Sequence, residues 1–216
     1  MDNKPPLKII CHSKNAIRIG IRLGWLPGAN YNHIRDIREF RIIGLIDIDW
    51  KNYDFDKHFY YVKKYKPILT VAKDILKECE LDSVVKQAER LGRYANKVIV
   101  VPKDLKLSDK IDKVIPKEFI IGFSVPSTYA KTEIPIEKFY KRKIHLLGGR
   151  PDLQRMLGKM LDVYSFDCNR ITIDAKFGYY FDGARFVKNG VAGYLNCIRK
   201  SMLNINRIWK VKKGSE

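Results

Sequence analysis

The chain has 216 residues, 45% of them hydrophobic, which is enough to bury one packed core and excludes disorder throughout. Lys and Arg total 42 against 24 Asp and Glu, giving a formal net charge of +18. This charge is typical of proteins that bind polyanions, nucleic acid above all, although a general lysine-rich bias would produce the same excess. The sequence holds no run of about 18 apolar residues and no recognisable secretory signal, so we expect a cytoplasmic protein with no membrane partner.

The cysteines and histidines are too scattered to indicate a metal centre. Cys11, Cys79, Cys168 and Cys197 form no CxC or CxxC pair. We interpret them as thiols of a reducing compartment, and not as a disulfide framework or a zinc site. The four histidines contain no i, i+4 pair. The sequence therefore predicts neither a metal site nor a cofactor.

Short apolar runs alternate with amphipathic segments along the chain. The apolar runs, read as strands, are Lys8–Cys11, Ile43–Ile48, Ile68–Ala72, Val98–Val101, Phe119–Phe123, Ile144–Leu147 and Val163–Phe166. The helix-like segments are Ala16–Leu23, Phe55–Tyr65, Ser83–Tyr94, Ile136–Lys141 and Pro151–Met160.

This alternation predicts an α/β fold with parallel strands buried on both faces. Six or seven βα units suit a single compact TIM-like (β/α) barrel over residues 1–216, with some units degenerate or missing, or an open doubly wound sheet. No GxGxxG follows a strand, which disfavours a dinucleotide-binding sheet.

The C-terminal part, residues 184–216, is basic. Asp182-Gly183 between Tyr179–Phe181 and Arg185–Val187 predicts a hairpin. Val191–Trp209 predicts a helix that covers the barrel with one apolar face, on which Leu195 lies. From Ala184 to Ser215 there is no acidic residue, so we expect contacts with phosphates. The candidate nucleic-acid-binding residues are Arg150, Arg185, Lys188, Arg199, Lys200 and Arg207.

Polar residues mark the carboxyl ends of the predicted strands, where α/β folds collect their functional groups. They are Asp47 and Asp49 at the end of a strand Leu45–Asp49, Asp74, Ser124, Gly148-Gly149 and Asp167. Such carboxylates can bind a hard cation, transfer protons or attack an electrophilic carbon, whereas a single Asp at this place is more often a helix cap. His145, at the start of another predicted strand, is interpreted as a structural or hydrogen-bonded core residue in preference to a base.

Residues 145–183, HLLGGRPDLQRMLGKMLDVYSFDCNRITIDAKFGYYFDG, resemble the tRNA-guanine transglycosylase superfamily. There, a strand ends in a Gly-rich turn, a Pro-led helix follows, and the next strand ends in Phe-Asp-Cys. The resemblance implies that Asp167 is the nucleophile and that Gly148 and Gly149 shape the base pocket, to which we also assign Ser124. By position, it implies that Asp74 recognises the base and that Asp47 is the general acid/base, with Asp49 as the second choice for that role.

The departures from this family point to a subgroup. The zinc-binding Cys cluster of the tRNA enzymes and their SGGFQ segment are missing. GWLPGANYNHIRDIR and IDWKNYDFDKH also resemble the compact phage and bacterial relatives that exchange guanine in DNA for a 7-deazaguanine. The resemblance thus implies a DNA guanine transglycosylase whose partners are DNA and a 7-deazaguanine base. The alternatives are tRNA as substrate, a barrel that binds nucleic acid without catalysis, and a metal-dependent nuclease using Asp47, Asp49 and Asp74.

Overall fold

The computed structural model describes residues 5–11, 13–127, 132–188 and 193–210. Its centre is a closed barrel of eight parallel strands in chain order, with β1 hydrogen-bonded to both β2 and β8. The barrel strands are β1 (Leu7–Ile10), β2 (Leu26–Asn30), β3 (Leu45–Asp47), β4 (Leu69–Val71), β5 (Lys97–Val100), β6 (Ile120–Ser124), β7 (Lys143–Leu147) and β8 (Asp162–Asp167). The predicted TIM-like barrel is confirmed, and the alternative of an open sheet is wrong.

Helices connect the strands around the outside. The α-helices are α1 (Lys14–Arg22), α2 (Phe55–Tyr65), α3 (Leu81–Gly92), α4 (Ile111–Val114), α5 (Pro151–Met160), α6 (Arg170–Ala175) and α7 (Tyr194–Lys210). Short 3-10 helices span Tyr31–Asp36, Glu78–Glu80, Leu105–Leu107 and Ile136–Phe139. Helices α2 and α5 have the predicted bounds because Asp54 caps the Lys57 N–H at 3.0 Å and Pro151 suits a first helical turn.

Strand β2 was not predicted, because its sequence Leu-Pro-Gly-Ala-Asn reads as a turn. The barrel interior explains the glycine. A Cβ on Gly28 would lie 2.7 Å from both the Cys11 Sγ and the Ile9 Cγ2, so these side chains occupy the space that a larger residue would need. Pro27 still contributes its carbonyl, which accepts a hydrogen bond from the Gly44 N–H at 2.7 Å.

The C-terminal elements cover the seam between β1 and β8. The predicted hairpin is confirmed as β9 (Tyr179–Phe181) paired with β10 (Phe186–Lys188). Helix α7 packs against α1, α5, α6 and β9, and its Trp209 ring stacks on Phe166 with centroids 4.9 Å apart. Leu195, predicted on the buried face of this helix, is exposed instead. The predicted start of the helix at residue 191 lies outside the described residues.

The end of α7 lies at the amino-terminal ends of the strands. Asn206 accepts from the Trp25 Nε1 at 3.0 Å and donates to the Leu23 carbonyl at 2.9 Å, and both residues come just before β2. Helix α7 therefore runs down the barrel, away from the rim where the strands end. Among the helices of the described ranges, none has both the length and the apolar composition needed to cross a bilayer.

Candidate active site

Polar side chains from five strands and a Gly-Gly turn after a sixth meet at the carboxyl-terminal rim of the barrel. Asp47, Ser124 and Asp167 are the last residues of β3, β6 and β8. Asp74, Lys103 and the Gly148-Gly149 turn follow β4, β5 and β7, in that order. Because all eight strands are parallel, these groups share one end of the barrel, where (β/α) barrels carry their active sites.

Asp167 is a buried carboxylate with its two oxygens held differently. Its Oδ1 accepts from the Gly148 N–H at 2.9 Å and lies 3.4 Å from the His145 Nε2. Its Oδ2 has a longer contact, 3.4 Å from the Asn169 Nδ2. The residue is 6% exposed. One oxygen is therefore fixed by the backbone, and the other retains lone pairs for a ligand at the rim.

The turn after β7 is built to place that N–H. Gly148 and Gly149 have φ values of 60° and 80°, which non-glycine residues rarely adopt. A Cβ on Gly149 would lie 2.3 Å from the Val125 Cγ1. The buried Gln154 amide donates to the carbonyls of both Gly148 and Asp167 at 2.7 Å, tying the turn to the end of β8.

His145 is a hydrogen-bonded core residue, as predicted, and its ring also lies beside Asp167. The ring is fully buried, and its Nδ1 lies 2.7 Å from the Ser165 Oγ. Its Nε2 points toward Asp167 and has no hydrogen-bond partner within the described ranges. The register between β7 and β8 shifts after Ile144, which pairs with Val163: Tyr164 is passed over, and His145 pairs with Ser165. That irregularity could not be read from alternation.

Asp47 is a carboxyl group poised to exchange its proton near neutral pH. Burial raises its pKa from 3.8 to about 7, and the negative charges of Asp167 and Asp74 act in the same direction. The Ile48 N–H, which donates to Oδ1 at 2.8 Å, opposes the shift. The carboxyl groups at the ends of β3 and β8 thus interact electrostatically, and that of Asp47 has a pKa near neutral pH.

Asp74 is paired with a lysine that the sequence analysis did not single out. An isolated parallel bridge between Ile75 and Pro102 extends the alignment of β4 and β5 beyond both strands. It brings the Lys103 Nζ to 3.9 Å from the Asp74 Oδ2 and within hydrogen-bond distance of the Ser124 Oγ. Burial raises the pKa of Asp74, and the nearby Lys103 ammonium lowers it.

The family comparison covers almost the whole barrel. Residues 20–210 match the model of a family described as a family of unknown function (DUF6610). The chain belongs to this family. No curated protein matches the sequence. The matched range includes Asp47, Asp74 and Asp167 but leaves out β1.

Asp49 does not join the other carboxylates. Strand β3 ends at Asp47, so the predicted strand Leu45–Asp49 is too long, and the alternation that put both Asp residues on one face does not apply. The Asp49 carboxylate instead accepts from the Asn32 amide at 3.1 Å and from the backbone of Lys51 and Asn52. It stabilises the loop after β3, which disfavours a base-binding or proton-transfer role.

Carboxylates at the rim are not gathered into a metal site in the part of the chain that the structure describes. There, no cluster of three or more His, Cys, Asp or Glu side chains is placed to hold an ion. The nuclease alternative requires Asp47, Asp49 and Asp74 together, and Asp49 is engaged elsewhere.

The candidate nucleic-acid-binding residues occupy three places. Arg150 follows the Gly-Gly turn at the rim and bonds Asp152 at 3.0 Å. Around the hairpin, Lys188 and Lys200 lie over the rings of Tyr179 and Tyr180, and the nearby Arg185 and Arg199 are exposed.

Arg207 is separate from this group. It follows Asn206 near the amino-terminal ends of the strands, opposite the rim. Its guanidinium bonds the Asn204 side chain at 3.1 Å. A phosphate held by Arg207 would not flank a nucleotide at Asp167.

Proposed function

We propose that this protein exchanges guanine in a nucleic acid, DNA in preference to tRNA, for a 7-deazaguanine base. The observation that carries the proposal is the pair of interacting carboxyl groups at one rim, Asp167 oriented by the Gly148 N–H and Asp47 with a pKa of about 7. Double displacement at a sugar carbon requires one carboxyl group as the nucleophile and a second that gives up and regains a proton.

In the first displacement, Asp167 acts as the nucleophile. Its Oδ2 attacks C1′ of the target nucleotide, and the bond from C1′ to N9 of guanine breaks with its electrons going to the base. Asp47 donates its proton to the departing guanine, which leaves neutral. The products are a glycosyl ester on Asp167, free guanine and an ionised Asp47.

The second displacement reverses these roles. The N9 of the incoming 7-deazaguanine attacks C1′ as its proton passes to Asp47, and the ester bond to Asp167 breaks. Asp167 regains its negative charge and Asp47 its proton, so the cycle consumes neither. Because C1′ is inverted twice, its configuration is retained.

The remaining rim groups suit recognition of a purine. The Asp74 carboxylate can accept hydrogen bonds from the N1–H and the exocyclic amine of a guanine-like base. Val125 leaves no room for a Cβ on Gly149, and we assign one wall of the base site to this turn beside Asp167. A nucleotide in a duplex must leave the base stack to reach these groups.

Charge and surface favour a polymer as the substrate. The net charge of +18 attracts polyanions, and the hairpin with its neighbouring helix presents basic side chains over tyrosine rings. The missing zinc-binding Cys cluster favours DNA over tRNA. Arg150, Arg185, Lys188, Arg199 and Lys200 are the proposed phosphate contacts.

The proposal is tested by incorporation of labelled guanine into duplex DNA, single-stranded DNA and tRNA. We expect wild-type protein to incorporate label into DNA and Asp167→Ala to lose it. Asp162→Ala is the matched control. Asp162 is the first residue of the strand that ends with Asp167, and it forms a salt bridge with Lys143 at the end of the barrel opposite the rim.

Three results would contradict the proposal. Incorporation that survives in Asp167→Ala would remove the nucleophile. Binding without incorporation on every polymer would favour a non-catalytic binding protein. Strand cleavage that stops in a chelator would favour the nuclease.

A further inference from the structure

Lys103 is a partly buried cation at the rim that neither displacement uses. Its side chain is 17% exposed and that of Asp74 is 26% exposed, so both reach the mouth of the barrel. Burial lowers the pKa of Lys103, and Asp74 opposes this effect. Placing an ammonium group here costs solvation free energy, which a purely structural pair on the surface would avoid.

The position of the ammonium group is fixed from two sides. Lys103 donates to the Ser124 Oγ, and Ser124 is 4% exposed at the end of β6. The Ser124 N–H in turn donates to the Thr132 Oγ1 at 3.0 Å. The Lys103 backbone is held by the Ile75 carbonyl at 2.9 Å. The two charges of the pair are therefore presented side by side, with a fixed order along the rim.

That order complements one purine edge. Guanine and 7-deazaguanine present an acceptor at O6 beside donors at N1 and the 2-amino group, whereas adenine presents a donor at its 6-amino group beside an acceptor at N1. An ammonium group 3.9 Å from a carboxylate offers a donor beside an acceptor. This arrangement complements the acceptor and donors of guanine and repels the donor and acceptor of adenine.

We propose that Lys103 donates a hydrogen bond to O6 of the base while Asp74 accepts from its N1–H and 2-amino group. This assignment rests on the proposed function and makes Lys103 the residue that selects a 6-oxopurine. Ser124 then acts through Lys103 by holding its Nζ in place. Adenine is rejected because its 6-amino donor would face the Lys103 ammonium, which also donates, and its N1 acceptor would face the Asp74 carboxylate, which also accepts.

The test measures equilibrium binding of free bases by dialysis, with guanine, 6-thioguanine and hypoxanthine competing against labelled guanine. 6-Thioguanine keeps both donors but weakens the acceptor at position 6, and hypoxanthine keeps O6 but lacks the 2-amino group. We expect wild-type protein to prefer guanine over each analogue by about 10-fold or more.

Two variants test separately the recognition of O6 by Lys103 and of the 2-amino group by Asp74. Lys103→Met is expected to weaken guanine binding about 10- to 100-fold and bring guanine and 6-thioguanine to equal affinity, with the preference over hypoxanthine kept. Asp74→Asn should lose mainly the preference over hypoxanthine. Lys73→Met is the matched control, because Lys73 lies on the same rim but bonds Glu80 at 2.7 Å. It should bind all three bases like wild type.

The outcomes distinguish this inference from the proposed function. Guanine binding with the preference over 6-thioguanine unchanged in Lys103→Met would overturn the Lys103 assignment alone. A wild-type protein that binds no base and exchanges none would overturn both. If Lys103→Met does not fold, the preference of the wild-type protein for guanine over 6-thioguanine decides. Equal affinity of the wild-type protein for these two bases refutes the inference.

Discussion

The proton on Asp47 should make the two displacements respond to pH in different ways. Loss of guanine needs a protonated Asp47, and capture of the new base needs an ionised one. With a pKa of about 7, the protonated fraction is roughly nine-tenths at pH 6 and one-tenth at pH 8. The rate of guanine release in a single turnover should therefore be level below pH 6 and fall about tenfold by pH 8.

The second displacement should change at a lower pH. Once Asp167 is esterified its charge is gone, and that charge is one of the causes that raise the pKa of Asp47. The pKa of Asp47 in the covalent intermediate is therefore lower than in the free protein. The rate of base capture should rise with pH and reach its plateau before guanine release has finished falling.

Rapid-quench measurements separate these steps. Guanine release is followed with the incoming base withheld, and base capture is followed by adding labelled base to the isolated adduct. Asp47→Asn should slow release by about 100-fold or more and abolish its pH dependence. A release rate that is flat between pH 6 and pH 8, or a break that persists in Asp47→Asn, would refute the assignment of the acid.

Four further substitutions have predictable effects. Gly148→Ala should cost about 1 kcal/mol of unfolding free energy, and Gly149→Ala about 1–3 kcal/mol more, because only the second Cβ would meet Val125; urea unfolding compares them. Gln154→Leu should cost about 1–3 kcal/mol and lower exchange at least tenfold through kcat, since two carbonyls lose their donor. Between about pH 4 and pH 7 folded Asp47 keeps a proton that the unfolded chain has released, so wild-type stability falls as pH rises. Asp47→Asn should therefore gain roughly 2–3 kcal/mol relative to wild type from pH 5 to pH 8 in the same unfolding assay.

The sequence could predict most of the barrel because its strands are buried runs bounded by helices with clear starts. The position of Asp167 followed from the same pattern, since a strand that ends in a carboxylate places it on the functional rim. Strand β2 escaped prediction because Pro27 and Gly28 read locally as a turn, whereas the tight interior opposite Ile9 and Cys11 requires a glycine.

The parts of the site that escaped prediction depend on register. His145 reaches Asp167 only because the β7–β8 pairing skips a residue, and Lys103 reaches Asp74 only because Ile75 pairs with Pro102 beyond the ends of both strands. Asp49 was misplaced for the related reason that β3 is shorter than its apolar run. Local patterns give residue types and approximate ends, but not the alignment between strands.

The covalent intermediate is the most direct test of the central claim. Wild-type protein should be incubated with the DNA substrate without an incoming base, quenched in acid, digested and mapped by mass spectrometry. The predicted result is a nucleotide ester on the peptide that contains Asp167. It should be absent in Asp167→Asn, and it should be lost when the incoming 7-deazaguanine is added before the quench. An adduct on another residue, or exchange that proceeds with no adduct, would contradict the account.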